Sequence, residues 1–324
     1  MITSVLLFAV GLVLLIKGGD WFVDGATGIA KRFNLPDIVV GATVVSIGTT
    51  LPEVMVSTTG ALAGSGAMAY GNAIGSIICN TALIAAISIT CNPGPVNVKS
   101  MKTPAIFFFA AAAMYCLAAY GLGTFPRWLG FVMLSVFVVY MILTVRNGMA
   151  NPDAADEEEE EDSKPKALWQ ELLLLVIGAA VIAVGADLLV DHGQIIAIGL
   201  GVPETVVALL FVALGTSLPE LVTTITSLKK GRASLGVGNV IGANVFNLVL
   251  VSGVAVSLAP FDVPVENELL NTGLNLSLVF DIPVMLLVMS LMIFPAMATK
   301  KLGRWQGITL LCIYAAFCVC QFML

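Results

Sequence analysis

Two short stretches, GTTLPE at 48–53 and GTSLPE at 215–220, each set inside an apolar run, decide how this chain folds. A carboxylate within a bilayer-spanning segment is expensive, so it faces a cavity or the bundle interior and marks an ion pathway. Glu53 and Glu220 each follow a proline directly. Proline lacks the N–H that would bond the carbonyl four residues back, here Gly48 or Gly215, so the motif predicts a broken helix with released carbonyl oxygens. Thr49 lies four residues before Glu53, and Thr216 four before Glu220, which places each pair on one helical face with Thr50 and Ser217 adjacent. Carbonyl, hydroxyl and carboxylate oxygens are hard donors that suit Ca²⁺ or Na⁺ rather than a soft transition metal.

The surrounding composition is that of a polytopic membrane protein: 324 residues, 58% hydrophobic, 11% charged, mean hydropathy +1.00. A soluble domain is excluded on these values. A spanning helix needs roughly 20 apolar residues, and the chain offers about ten such stretches. Much of the net charge of −6 comes from the run DAADEEEEED at 153–162. That run reads either as a solvated loop or as a cation-collecting surface near a pore. Six cysteines, at 79, 91, 116, 312, 318 and 320, show no CxxC spacing and read as small core residues. The sole histidine, His192, has no nucleophile or second histidine arranged with it and reads as structural. Residues 1–16 lack a basic n-region and run into sequence echoed later, so they read as a retained helix rather than a signal peptide.

The chain repeats itself. At an offset of 167 residues Asp20 falls on Asp187, Asp24 on Asp191, Pro36 on Pro203, Glu53 on Glu220, Asn72 on Asn239 and Asn80 on Asn247, with no gap. The repeat divides the chain into homologous halves at 1–146 and 167–324, joined by an acidic segment at 147–166. Each half reads as five helices, at 2–31, 37–63, 67–90, 103–120 and 127–145, then 167–198, 204–228, 234–258, 282–297 and 304–322. Loops after the odd-numbered helices carry Lys31, Arg32, Lys99, Lys102, Arg146, Lys164, Lys166, Lys229, Lys230, Arg232, Lys300, Lys301 and Arg304, whereas the other side carries Arg127 alone. The basic side is expected to be cytoplasmic, with the acidic loop on it and both termini outside. An odd helix number per half inverts one half relative to the other. The expected fold is therefore an all-α polytopic membrane protein of ten transmembrane helices, built as two inverted-topology five-helix repeats with helices 2 and 7 broken.

A second matched motif, GNAIGSIICN at 71–80 and GNVIGANVFN at 238–247, spaces Asn72, Ser76 and Asn80 four apart on one stripe, with Asn239, Ala243 and Asn247 as its counterpart. Gly71, Gly75, Gly238 and Gly242 suit close backbone approach. On the paired GT[TS]LPE and GN-x-IG-x-x-x-x-N motifs, with GDWFVDGA at 19–26 and GRWQG at 303–307, the chain resembles the calcium/cation antiporters, in particular the prokaryotic sodium/calcium exchanger branch. The resemblance covers nearly the whole chain outside the acidic loop. It implies one Ca²⁺ site overlapping several Na⁺ sites at the membrane midplane. Glu53 and Glu220 would bind Ca²⁺ together with backbone oxygens of Thr49 and Thr216. Side-chain oxygens of Thr49, Thr216, Thr50, Ser217 and Ser76, backbone oxygens of Ser46 and Ala213, and the amides of Asn80 and Asn247 would complete the Na⁺ and water sites. Archaeal members that it resembles carry a serine and an aspartate where this chain has Ala243 and Asn247, which leaves the number of Na⁺ ions open.

Other acids have local readings. Asp37, Glu204 and Asp281 stand at helix starts, where the positive helix end favours a carboxylate. Lys17 and Asp20 read as a neutralising pair, while Asp20, Asp24, Asp187 and Asp191 could instead line the ion route. The expected function is a secondary active antiporter that exchanges Na⁺ for Ca²⁺ by alternating access and extrudes Ca²⁺, in the cell (inner or plasma) membrane and as a monomer. Its partners are the two ions and the lipid bilayer, with no cofactor and no nucleic acid. Ca²⁺/H⁺ antiport is the alternative, and a cation channel is the rival from another class. An enzyme is not expected, because the chain offers neither a nucleophile with a base nor a GxGD motif.

Overall fold

The computed structural model describes residues 2–150, 167–200, 215–264 and 275–323. The acidic run at 153–162, Glu204 and Ala213 lie outside these described residues. Helices account for most of the structure. The first half contains α1 (Ile2–Arg32), α2 (Asp37–Thr49), α3 (Leu51–Leu62), α4 (Gly66–Cys91), α5 (Val98–Leu122) and α6 (Arg127–Met149). The second contains α7 (Leu168–Gly199), α8 (Leu218–Lys229), α9 (Ala233–Leu258), α10 (Ser277–Thr299) and α11 (Arg304–Met323). Among the described residues seven helices are long and apolar enough to cross a membrane, and α2 with α3, bent by 46° at their junction, are so only when taken together.

Two helix starts differ from expectation because a side chain earlier in the sequence caps the helix. Asn97 accepts from the N–H groups of Lys99 and Ser100, so α5 begins at Val98. Asn275 accepts from the N–H groups of Ser277 and Leu278, which puts Asp281 inside α10 rather than at its start. There Asp281 accepts a 2.6 Å hydrogen bond from Gln321 of α11.

At the centre stand α4 and α9, with 72% and 83% of their apolar windows buried, against 22 to 39% for the other spans. These helices carry the two asparagine motifs. Around them the halves interlock reciprocally. The end of α9 packs against α6, where a Cβ at Gly130 would meet Ser257 and the Gly253 carbonyl. In the same way the end of α4 packs against α11, where a Cβ at Gly307 would meet Thr90 and the Ala86 carbonyl. Arg127 donates to the Leu258 carbonyl at 3.1 Å and Arg304 to the Thr90 carbonyl at 3.0 Å, each satisfying an orphan carbonyl near a helix end of the other half. Two short antiparallel clasps complete the pattern: β1 (Gly94–Pro95) with β4 (Lys301–Leu302), and β2 (Thr124–Phe125) with β3 (Phe261–Asp262). Each clasp joins one half to the other, and they lie at opposite ends of α5.

The outer pair α1 and α7 runs antiparallel and packs chiefly on itself. Gly11 meets the backbone at Gly185, and Gly18 meets Gly178 and Ile182, so a Cβ at either position would collide with the facing helix. The same device brings α2 against α9, where a Cβ at Gly238 would fall on the Ile38 backbone. The repeat puts the corresponding partners of Gly71 and Gly75 among residues 201–214, outside the described residues. Of the six cysteines only Cys79 is buried, while Cys91 and Cys312 are exposed on the bundle surface.

Ion pairs at the basic end tie the halves together. Arg232 contacts both carboxylate oxygens of Asp37 at 2.9 and 3.1 Å, with side-chain exposures of 15% and 4%. Asp37 therefore does more than stand at a helix start. Lys230 bonds Asp24 at 2.7 Å and the Asp20 carbonyl at 3.0 Å, and Arg32 bonds Glu171 at 3.1 Å. The expected pairing of Asp20 with Lys17 is not observed; Lys230 from the other half takes that place. Breaking a buried pair from one side costs about 3 kcal/mol or more, so Arg232→Met is expected to lower stability by that order, and adding Asp37→Asn to recover part of it. Unfolding in detergent measures both, and an unchanged midpoint in Arg232→Met would contradict the assignment.

Candidate functional site

Both LPE motifs start a new helix. Thr50, at φ −86° and ψ 0°, and Ser217, at φ −89° and ψ 3°, adopt the same bridge-region conformation just before α3 and α8. Pro52 and Pro219 occupy the first helical turn, where a missing N–H costs nothing because it would have no helical partner. Glu53 and Glu220 follow in that same turn, beside free N–H groups and the positive end of the helix. The expectation that Thr49 and Glu53 share one continuous face is corrected by this geometry. The break falls between them, and Thr49 turns across to donate to Asn239 Oδ1 at 3.1 Å.

Each glutamate is fully buried, and none of their four carboxylate oxygens has a hydrogen-bond partner among the described residues. The two side chains, one from each half, are close enough to interact electrostatically. Thr49 and Thr50 stand near Glu220 from the opposite half. Two unpartnered carboxylates in a dry interior are costly unless positive charge joins them.

Asparagines link the halves around this pair. Asn72 donates from Nδ2 to Ser57 Oγ at 2.8 Å and to the Glu53 carbonyl at 3.3 Å, while its Oδ1 accepts from Thr216 at 3.5 Å. Its counterpart Asn239 accepts from Thr49, and Ser46 Oγ lies 2.9 Å from the Asn239 carbonyl and 3.3 Å from its Oδ1. The Ser46 carbonyl accepts the Thr50 N–H at 3.0 Å and keeps a second lone pair. Asn80 and Asn247 each open a π-helical segment, Asn80–Ala85 in α4 and Asn247–Val251 in α9. A π-turn widens the backbone and is frequent at functional positions. The Asn80 segment packs on α8, the helix of Glu220, and the Asn247 segment on α3, the helix of Glu53. Both amides are buried with neither atom partnered among the described residues, as are the hydroxyls of Thr50 and Ser217.

Of the expected ligands, Ser46, Thr49, Thr50, Glu53, Ser76, Asn80, Ser217, Glu220 and Asn247 are buried. Thr216 is half-buried, and Ala213 lies outside the described residues. Sequence reasoning left out the bridging roles of Asn72 and Asn239, although their stripe spacing pointed toward them. Cys79 is the core residue that the sequence suggests, 3% exposed within the apolar cluster and 3.8 Å from the Tyr314 hydroxyl. No spacing signal distinguishes that cysteine from the others.

Long apolar helices around a buried polar centre define a multi-pass membrane protein. The chain belongs to the sodium/calcium exchanger family: the profile described as "Sodium/calcium exchanger protein" matches residues 3–146 and 171–323. It is 34% identical to an uncharacterised membrane protein of Methanocaldococcus jannaschii over 95% of this chain and 94% of that one. It is 28% identical to the sodium/calcium exchanger MaX1 of Methanosarcina acetivorans, over 98% of both chains. A solved structure of the sodium-calcium exchanger NCX_Mj, soaked with 10 mM Na⁺ and no Ca²⁺, superposes with a TM-score of 0.78 at 33% identity, covering 97% of each chain.

Replacing Glu220 with glutamine in protein freed of Na⁺ and Ca²⁺ is expected to raise the unfolding midpoint, because the amide leaves one less charge to bury. Ca²⁺ at a hundred times its dissociation constant should stabilise the wild type by about 2.7 kcal/mol and the variant far less. A lower midpoint for the ion-free variant would show that the carboxylate already has a partner.

Proposed function

We propose that this protein is a Na⁺/Ca²⁺ antiporter that expels Ca²⁺ from the cytoplasm as Na⁺ enters, and not an enzyme. The observation that carries this reading is the pair of fully buried glutamates, one from each half, whose four carboxylate oxygens have no hydrogen-bond partner among the described residues. Two carboxylates balance one divalent ion. Glu53 and Glu220, with carbonyls of Thr49 and Thr216, form the Ca²⁺ site in this reading. The side chains of Thr49, Thr50, Thr216, Ser217, Ser76, Asn80 and Asn247, with carbonyls of Ser46 and Ala213, hold Na⁺ and water. The same hard oxygens suit either cation, so Na⁺ and Ca²⁺ compete for one centre. The exchange printed in the names of its relatives supports the reading.

The proposed architecture is ten spans in two inverted halves, 1–146 and 167–324, about a cytoplasmic loop at 147–166. Separate family matches to 3–146 and 171–323, together with reciprocal clasps at opposite ends of α5, support it. Both sides of the site come from one chain, so a monomer suffices. Alternating access follows if α1 and α7 move as a unit along the bundle, since they pack chiefly on each other. An empty site strands two buried charges, which disfavours crossing without cargo.

Purified protein in liposomes is expected to take up Ca²⁺ against an outward Na⁺ gradient. Glu53→Gln or Glu220→Gln should each abolish that uptake while leaving a folded protein. Uptake driven equally well by a pH gradient alone would favour proton antiport, and near-normal uptake in either variant would remove the glutamates from the site.

For orientation, a cysteine placed at Lys229 should react with an impermeant thiol reagent only from the cytoplasm. One placed at Ser65 should react only from outside, both in a background without native cysteines. The reverse labelling would invert the topology.

A further inference from the structure

On α8 the buried polar surface continues past Glu220. Thr223, Thr224 and Ser227 follow it at three, four and seven residues, the spacing of one helical face. All three are 0 to 1% exposed, and none of their hydroxyls has a hydrogen-bond partner among the described residues. Several helix hydroxyls elsewhere in this protein return to the carbonyl four residues back, as Thr43 does to Val39, Thr81 to Ile77, Thr90 to Ala86 and Ser135 to Phe131, whereas Thr58, Thr144 and Ser257 stand singly without a partner among the described residues. That return bond is the ordinary way a serine or threonine is satisfied inside a helix. The α8 hydroxyls forgo it.

The row leads toward the basic end of the bundle. Thr224 packs on Gly236 of α9, and the Ser227 carbonyl accepts the Arg232 N–H at 2.7 Å. Next to these residues lies a cavity of about 360 Å³ whose lining includes Ser88 of α4 and Asn92 just beyond it, with Gly231 and Ser234. The α4 segment that carries Ser88 packs on α8. From Glu220 to Ser227 the helix rises about 10 Å toward the end of the bundle where this cavity lies.

The matched positions of the first half are built differently. Thr223 and Ser227 correspond to Val56 and Gly60, with Met68 packed on Gly60, and the counterpart of Thr224 is Ser57, bonded to Asn72. Where α4 and the segment after it have Ser88, Asn92 and Gly94, α9 and the segment after it have Ala255, Ala259 and Phe261, which close on Ala61 and Ala69 as an apolar cluster. On the matched helix of the first half Thr58 alone has a buried hydroxyl without a partner among the described residues, so three such hydroxyls in a row occur on α8 and not on α3.

We propose that Thr223, Thr224 and Ser227 form the inner leg of the cation path, a ladder of hydroxyls that passes Na⁺ and Ca²⁺ between Glu220 and the cavity at the basic end. The proposal rests on the antiport reading given above. A cation leaving the cavity must exchange water for fixed oxygens. A hydroxyl with both lone pairs free supplies one without the charge that would trap the ion.

The test is Thr223→Val combined with Ser227→Ala, near-isosteric changes that remove only the hydroxyls, with Ser135→Ala as the control. In proteoliposomes the double variant is expected to exchange about tenfold more slowly, the effect of one unreplaced ligand on a passing ion. Its equilibrium Ca²⁺ affinity should stay within about twofold, and its unfolding midpoint should not fall, because no internal hydrogen bond is lost. In addition, Ser227→Cys in a background without the six native cysteines should react with an impermeant thiol reagent from the basic end only while exchange is running. Wild-type exchange with an equally fast double variant would overturn the path alone, as would labelling of Ser227→Cys only from the opposite end. A lost affinity would make these residues ligands, and a lowered midpoint would make them structural; either result also overturns it. Wild-type protein with no Na⁺-driven uptake would instead overturn the antiport reading beneath it.

Discussion

Two carboxylates share a dry interior with no hydrogen bond to any of their oxygens among the described residues, and the rest of the structure is arranged to make that state tolerable. The broken helices deliver Glu53 and Glu220 in a first helical turn, where the N–H dipoles point at them and the preceding proline leaves no orphan donor. Hydroxyls and amides from the opposite half surround them. An uncompensated charge pair in such a place is strongly unfavourable, so the protein gains from a bound cation what it loses by burying the carboxylates. Ion affinity and conformational stability are linked through that one term.

The backbone plan of the two halves is reciprocal, but their electrostatics are not. Lys230, Arg232 and Arg32 bond acids of the other half at the basic end, and the positions that match them across the repeat are Ala63, Ser65 and Gly199. Separating the halves at the basic end thus breaks charge-assisted bonds, one of them buried, whereas the matched positions at the other end supply no cation. Asn72 and Asn239 show the same inequality in miniature. Asn72 uses both of its amide atoms, while the Nδ2 of Asn239 has no partner among the described residues although its Oδ1 accepts from Thr49. A repeat fixes where two segments sit, and each half then diverges wherever its neighbours allow.

Glycine does a different kind of work along the α1–α7 seam and at the α2–α9 crossing. At both, the missing Cβ lets one helix backbone come against the other. At the crossing, close approach brings Ser46 and Thr49 within hydrogen-bond range of Asn239, so the polar centre depends on the absence of a Cβ at Gly238. The π-turns at Asn80 and Asn247 then set the buried amides in a locally widened helix, at matched positions in both halves.

Hydropathy, the repeat and the paired LPE motifs were enough to assign a helical membrane protein and to select its polar centre, because a glutamate or asparagine inside an apolar run has few affordable places to go. Helix ends were legible to a few residues wherever the cap stood at the edge of the apolar run, and missed at Asn97 and Asn275, where a polar side chain extends the helix beyond it. The partners of charged groups were not legible. Asp20 chooses Lys230 over Lys17, and Asp37 chooses Arg232, because such pairs form between helices brought together only by packing. The hydroxyls of Thr223 and Ser227, unpartnered among the described residues, likewise emerge only from the tertiary structure. Periodicity tells which face of a helix is polar, but whether a buried oxygen on that face finds a donor depends on the helix packed against it.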